Sequence, residues 1–430
     1  MIEGAVHRRA ATSRSAPAGR CSASNAEGVL RAATALAVAL ALVACGPATA
    51  PSMTTSPSVS VSPTRTAIPS GTPGLGLGAF PRLPTTELPI DVAAALQAIL
   101  NEAVDTLYAP GVAAAVIVAD RGTWVGAAGT ADGAAPLEPN AQFAIGSVTK
   151  TITAAQVLQL VESGAIDLDR PIAEYVGEDD LATNGATVRQ VLGMRSGIGD
   201  PQIDADTCRS DLAASISLAD LRKVPLGTPY FEPGAGFRYT SSNYDLAGIL
   251  IEEVTGSTLA SVLRSGVLSE PGLERLIYQD AERPTPPLAA PFVIGSGSDV
   301  PGPIDLLQVG GGYLPARCLA SSAGPAGGMA SDAMTLARWG YLLYGGWVLG
   351  DEALAAMTDF EDGYYGLAAV DNGSIFGGPA LGHAGTVPGY TAQQLVFPEE
   401  GLSVAMLMNT NGNEEALASV AGQLRAALAP

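Results

Sequence analysis

The sequence predicts an α/β (α+β) domain: an antiparallel sheet, flanked by helices from both ends of the chain, packed against a helical lobe. Three observations predict it. Apolar runs bounded by turn residues lie near both ends of residues 86–430. A stretch of helical spacing lies outside each pair of runs. Between them, the apolar residues keep helical rather than alternating spacing. Strands at the two ends pair most simply with each other, which closes one sheet and leaves the middle to form the lobe.

The elements follow in order. Residues 92–107 repeat Ala, Leu and Ile at helical spacing, with Asp91 as N-cap. Residues 112–119 form an apolar run rich in Val and Ile. Asp120-Arg121-Gly122 is a turn, and residues 123–128 return to complete a hairpin. Helices are expected over residues 157–164, 187–194, 244–255 and 333–344. Residues 392–397 and 402–409 form a second strand pair around Pro398-Glu399-Glu400-Gly401, and residues 414–428 form a final helix. A cleft between sheet and lobe is a common place for a ligand.

Ahead of this domain the chain changes character twice. Residues 1–45 read as a lipoprotein signal peptide. Five arginines precede an apolar run of about a dozen residues, too short to span a bilayer but suited to a signal core. The run ends in Leu42-Val43-Ala44-Cys45, which resembles a bacterial lipobox and makes Cys45 the lipidation site. An ordinary secretory signal or an uncleaved anchor is the alternative. Residues 46–85 are rich in Ser, Thr, Pro and Gly and lack the apolar residues that would offset chain ordering, so they read as a disordered tether. The expected protein is exported, held at the cell membrane facing the wall, and monomeric.

Composition excludes several functions. Net charge is −20, and loss of the segment ahead of Cys45, with five Arg against Glu3 and Glu27, leaves about −23. Nucleic-acid binding needs basic patches and is excluded on this balance. The only histidines are His7 and His383, and His7 falls in the signal segment. A zinc site with several histidine ligands is therefore excluded, and no C-x-x-C pair exists. No metal or other cofactor is expected. Cys208 and Cys318 are the remaining cysteines of the exported domain, and one disulfide is expected between them, with two buried thiols as the alternative.

The chemistry-bearing feature is Gly146-Ser147-Val148-Thr149-Lys150, followed by an amphipathic run. Positions three apart share a helix face, so Lys150 stands one turn above Ser147. An amine against a hydroxyl can act as base for a serine nucleophile. A helix N-terminus favours the negative charge that then develops. Alone, the pattern is weak and more often marks an N-cap serine and a solvated lysine. A Ser-His-Asp triad would have to use His383, and no G-x-S-x-G elbow accompanies it.

Two further motifs follow in order: Tyr239-Thr240-Ser241 and His383-Ala384-Gly385-Thr386. With Ser147-Val148-Thr149-Lys150 they resemble the S-x-x-K, Y-x-N and (K/H)-x-G motifs of the penicillin-recognising serine hydrolases. The class C β-lactamase and D-alanyl-D-alanine carboxypeptidase branch is the most similar, and His383 favours the carboxypeptidase side. The resemblance covers roughly residues 90–428. It implies that Ser147 is acylated, that Lys150 and Tyr239 share the proton work, and that His383 passes a proton or binds a carboxylate. It places Ser241, Gly385 and Thr386 against the substrate, with the amides of Ser147 and Thr386 as oxyanion donors. Ser241 departs from the family pattern, where asparagine offers both an amide donor and an acceptor. Asn243 stands two residues on and need not face the same way.

The expected activity is that of a D-alanyl-D-alanine carboxypeptidase-like peptidase on cell-wall peptides. The alternatives are an esterase or β-lactamase of the same fold, and a non-catalytic lipoprotein that binds wall fragments or β-lactams. The substrate is a small peptide, ester or β-lactam in each case.

Overall fold

The computed structural model describes residues 76–429, apart from 178–182, 202–207, 209, 293–310, 361–362 and 413. The signal segment, Cys45 and most of the tether lie outside the described residues.

The elements that position the site run as follows. Helix α1 is Ile90–Thr106; strands β1 and β2 are Gly111–Val118 and Gly122–Gly129; β3 is Phe143–Ala144. A 3-10 turn, Gly146–Val148, leads into α2, Thr149–Glu162. Then come α3, Val188–Leu192, α4, Ser242–Thr255, and β4, Ile277–Tyr278. Helix α5, Arg317–Gly327, precedes β5, Met329–Ser331, and α6, Ala333–Tyr344. Strands β6 to β9 are Val370–Asp371, Leu381–Val387, Tyr390–Phe397 and Leu402–Met408, and α7 is Glu414–Ala427.

The two ends of the domain close one sheet, as expected. Six strands run in the order β2-β1-β9-β8-β7-β6, each antiparallel to its neighbours. The join across the ends is β1 with β9, in register from Val112 opposite Met408 to Val118 opposite Leu402. Strand β1 is buried along its whole length. Its side chains alternate between two cores. Ala113, Ala115 and Ile117 face the helical lobe, while Val112, Ala114, Val116 and Val118 join α1 and α7 on the other face. A strand covered on both faces reads as an unbroken apolar run.

Several boundaries differ from the sequence expectation. Helix α1 is N-capped by Pro89, not Asp91, because Pro89 is the last residue with extended backbone; Asp91 lies in the first turn. Helix α2 begins at Thr149, where the Ser147–Lys150 spacing expects a helix to start; the span 157–164 covers only its end, and its first ten residues are all buried. It packs against α4 and α5 in the lobe. The amphipathic period is therefore no guide there, and its polar residues are matched individually. Trp339 Nε1 donates to Thr151 Oγ1 at 2.8 Å, and Thr153 Oγ1 donates to Pro325 O at 2.7 Å. Helix α3 stops at Leu192, two residues early, where Met194 takes a left-handed φ of 59°. Its start is the capping box of Thr187 and Gln190. Helix α6 matches expectation, with Asp332 accepting from the Thr335 amide.

A second sheet, β3-β5-β4, has strands of two or three residues, too short to leave a period in the sequence. Cys208 and Cys318 are joined with Cα atoms 5.4 Å apart, tying the segment after Ser196-Gly197 to the start of α5. Among the described residues no single helix is long and apolar enough to cross a membrane.

Candidate active site

Ser147 sits half-buried in the 3-10 turn, and Lys150 in the first turn of α2, as the three-residue spacing requires. Lys150 Nζ lies 3.0 Å from Ser147 Oγ and donates to Ala326 O at 2.7 Å. The carbonyl of Ala326 is free to accept because α5 breaks at Gly324, whose φ is 41°, and Pro325 follows. Carbonyls at a helix C-terminus have no intrahelical donor. Lys150 is 1% exposed, and burial lowers its ammonium to about 7, with Asp245 on α4 pulling the other way. A lysine of this kind is neutral in a large fraction of molecules at neutral pH. It can then accept the Ser147 proton.

Tyr239 stands beside this pair. Lys150 Nζ lies 4.9 Å from the centre of its ring. Burial raises the phenol well above its ordinary range, while a hydrogen bond with Ser147 acts in the opposite direction. The ring is 40% exposed, so solvent weakens that burial cost. Either way the hydroxyl keeps its proton near pH 7. Of the two routes by which Lys150 and Tyr239 could share the proton work, the structure favours lysine as base and tyrosine as hydroxyl relay.

His383 lies on β7 and is 5% exposed. Burial, reinforced by Lys150, lowers its imidazolium to about 4, so the ring is neutral at pH 7. Both ring nitrogens are engaged. Nδ1–H donates to Ala384 O, which leaves Nε2 to accept from the Tyr365 hydroxyl at 3.4 Å. The ring centre is 6.2 Å from that of Tyr239. His383 is therefore at the site, but as a neutral ring held by Tyr365 rather than as a cation for a carboxylate.

Strand β7 presses its face on the nucleophile turn. A methyl group on Gly385 would stand 2.1 Å from Ile145 O and 2.7 Å from the Ser147 amide nitrogen. One on Gly146, whose φ is 51°, would stand 2.9 Å from the Thr386 amide nitrogen. Glycine at both positions lets β7 approach the nucleophile turn this closely, as an oxyanion hole built from the amides of Ser147 and Thr386 would require. Strand β6 pairs only with Leu381 and Gly382, so β7 from His383 onward has no strand beyond it among the described residues. The Thr386 hydroxyl donates to Glu414 Oε1 at 2.6 Å.

Ser241 is exposed at the entry to α4 and caps no backbone amide with its side chain. Asn243 does not replace it. That residue is fully buried, accepts from Ser196 Oγ and donates toward Met194 Sδ.

Four neighbours were not singled out from the sequence. Tyr364 and Tyr365 form an aromatic wall with Phe237, at ring distances of 5.8 and 5.6 Å. Tyr365 also meets Tyr239 edge-on at 5.9 Å. The paired tyrosines between Gly363 and Gly366 are the one local cue, an aromatic pair set in a turn. Asp245 and Glu414 carried none, because each is one acidic residue in the first turn of a helix. Among the described residues no three His, Cys, Asp or Glu side chains gather as a metal site.

The family model Beta-lactamase matches residues 96–429. A D-stereospecific amidohydrolase from Streptomyces sp. superposes with a TM-score of 0.63 at 26% identity, covering 76% of this chain and 97% of that one. The D-amino acid amidase from Ochrobactrum anthropi SV3, complexed with L-phenylalanine, shares the fold with a TM-score of 0.66 at 23% identity, over 78% and 98% of the two chains. Protein flp of Staphylococcus aureus (strain COL) is 30% identical over 122 residues, 27% of this chain and 24% of that protein's length. With a family model matched over most of its length and this fold, the chain belongs to the beta-lactamase family of serine hydrolases.

Proposed function

We propose that the protein is an exported amidohydrolase that works through an acyl-Ser147 intermediate on small D-amino-acyl peptides, amides or esters. The observation that carries this reading is the contact of Ser147 Oγ with a buried lysine lowered to about 7, beside two adjacent amides.

The steps follow from these groups. Neutral Lys150 takes the Ser147 proton as Oγ bonds to the substrate carbonyl carbon. The carbonyl oxygen gains the electron pair and is held by the amides of Ser147 and Thr386, each such donor contributing about 2.7–4 kcal/mol. Collapse expels the amine or alkoxide, which takes a proton from Lys150 by way of the Tyr239 hydroxyl. Water then attacks the acyl-serine, its proton passes to neutral Lys150 directly or by way of the Tyr239 hydroxyl, and Lys150 returns a proton to Ser147 as that oxygen leaves. D-selectivity is supported by the similarity to the D-stereospecific amidohydrolase from Streptomyces sp..

A D-alanyl-D-alanine carboxypeptidase falls within this range, but the neutral His383 offers no cation to a terminal carboxylate. The export signal supports a location at the cell membrane, with lipidated Cys45 as anchor. The test is hydrolysis of D- and L-aminoacyl p-nitroanilides by the wild type and Ser147→Ala. The reading expects turnover of the D series that the variant loses. Turnover that survives in Ser147→Ala would overturn it.

A further inference from the structure

The geometry points to Glu414 as a specificity-determining residue that makes the leaving-group side of the cleft acidic. The enzyme then takes substrates whose leaving group is uncharged or cationic, and turns away those ending in a carboxylate. This inference rests on the acyl-serine reading above.

Glu414 opens α7, far in sequence from Ser147, yet the fold brings it to the reacting centre. Its Oε1 accepts the Thr386 hydroxyl at 2.6 Å, and the Thr386 amide is one of the two oxyanion donors. The carboxylate is thus one side chain away from the reacting carbonyl. It also acts on the Tyr239 hydroxyl through its charge. Tyr239 is the relay that protonates the departing group, so that group leaves from the side Glu414 occupies.

Two consequences follow for a substrate carboxylate at this place. The Thr386 hydroxyl has one proton, and that proton is given to Glu414, so it cannot also be given to the ligand. His383 is neutral with both nitrogens engaged. A second carboxylate would meet like charge without compensation, whereas an amide can donate to Glu414 and an ammonium can pair with it.

The test compares N-acetyl-D-alanyl-D-alanine with its C-terminal amide, which share the acyl group and the scissile bond. Both kcat/KM and inhibition of p-nitrophenyl ester turnover are measured, so the ratio is read even where cleavage is slow. Because Glu414 is exposed and partly screened, a preference for the amide of roughly tenfold is expected. In Glu414→Gln, which keeps an acceptor for Thr386, the ratio should fall toward one by gain on the carboxylate substrate. Glu415→Gln removes the same charge from the same helix turn and should leave the ratio as in the wild type. Equal handling of the two compounds by the wild type, or an unchanged ratio in Glu414→Gln, overturns the inference while ester turnover leaves the acyl-serine reading standing. If Ser147 is not acylated even by the ester, the functional reading falls and this inference with it.

Discussion

At Lys150 two requirements meet that a surface lysine does not satisfy together. The amine must reach Ser147, which the 3.0 Å contact provides, and it must be neutral near pH 7, which burial provides. Only the neutral amine accepts a proton. The rate kcat/KM should therefore rise with pH through about 7 and level off above it, and a pH–rate profile checks this. His383, lowered to about 4, is neutral across pH 5–8 and should add no limb in that window. Lys150→Arg keeps the charge but cannot lose it, and should cost roughly 10²–10⁴-fold in kcat, as loss of a general base does. Ser147, Lys150, Tyr239 and His383 were legible because each belongs to a short pattern with fixed spacing. Glu414, Asp245 and Tyr365 were not, since they reach the site only through packing between distant segments. The neutral state of His383 was also invisible, because sequence shows neither its burial nor its Tyr365 partner.

The elements show the same division. The outer hairpin, the β8–β9 pair and the terminal helices were readable from runs and turns, since each is long and bounded by turn residues. The start of α2 was marked only by the Ser147–Lys150 spacing and not by its period, because a helix buried all round carries Thr, Lys and Gln without an amphipathic stripe. What matters functionally is the approach of β7 to the nucleophile turn. Gly385→Ala would force its methyl into Ile145 O and the Ser147 amide, so β7 must withdraw. Loss of a single oxyanion donor costs about 10²–10³ in kcat, and Gly385→Ala should show a loss of that order with the far-ultraviolet spectrum unchanged. The disulfide acts on α5, which carries the Ala326 carbonyl that holds Lys150. It spans 110 residues, and on the chain-entropy model such a bridge contributes about 4–5 kcal/mol. The double variant Cys208→Ala/Cys318→Ala should lose stability of that order in denaturant titration. Thiol titration of the denatured, unreduced wild type should find neither cysteine free.

For the whole molecule, closing the sheet with both chain ends brings β7 and the start of α7 together at the nucleophile turn, where Lys150 and Tyr239 also stand. Ahead of the domain, the short apolar run, the Leu-Val-Ala-Cys sequence and the Ser/Thr/Pro-rich stretch support a membrane tether through Cys45. Cys45→Ala should release the protein or leave an unprocessed precursor, as fractionation and N-terminal sequencing would show. A mature wild type found wholly in the medium, with another N-terminus, would count against the anchor. All of this chemistry passes through the acyl-Ser147 intermediate. Its most direct test is to incubate the protein with a fluorescent penicillin or a p-nitrophenyl ester, digest it, and locate the adduct by mass spectrometry. An adduct on Ser147 is expected, absent in Ser147→Ala and slow to form in Lys150→Arg. An adduct on another residue, or full labelling of Ser147→Ala, would contradict it.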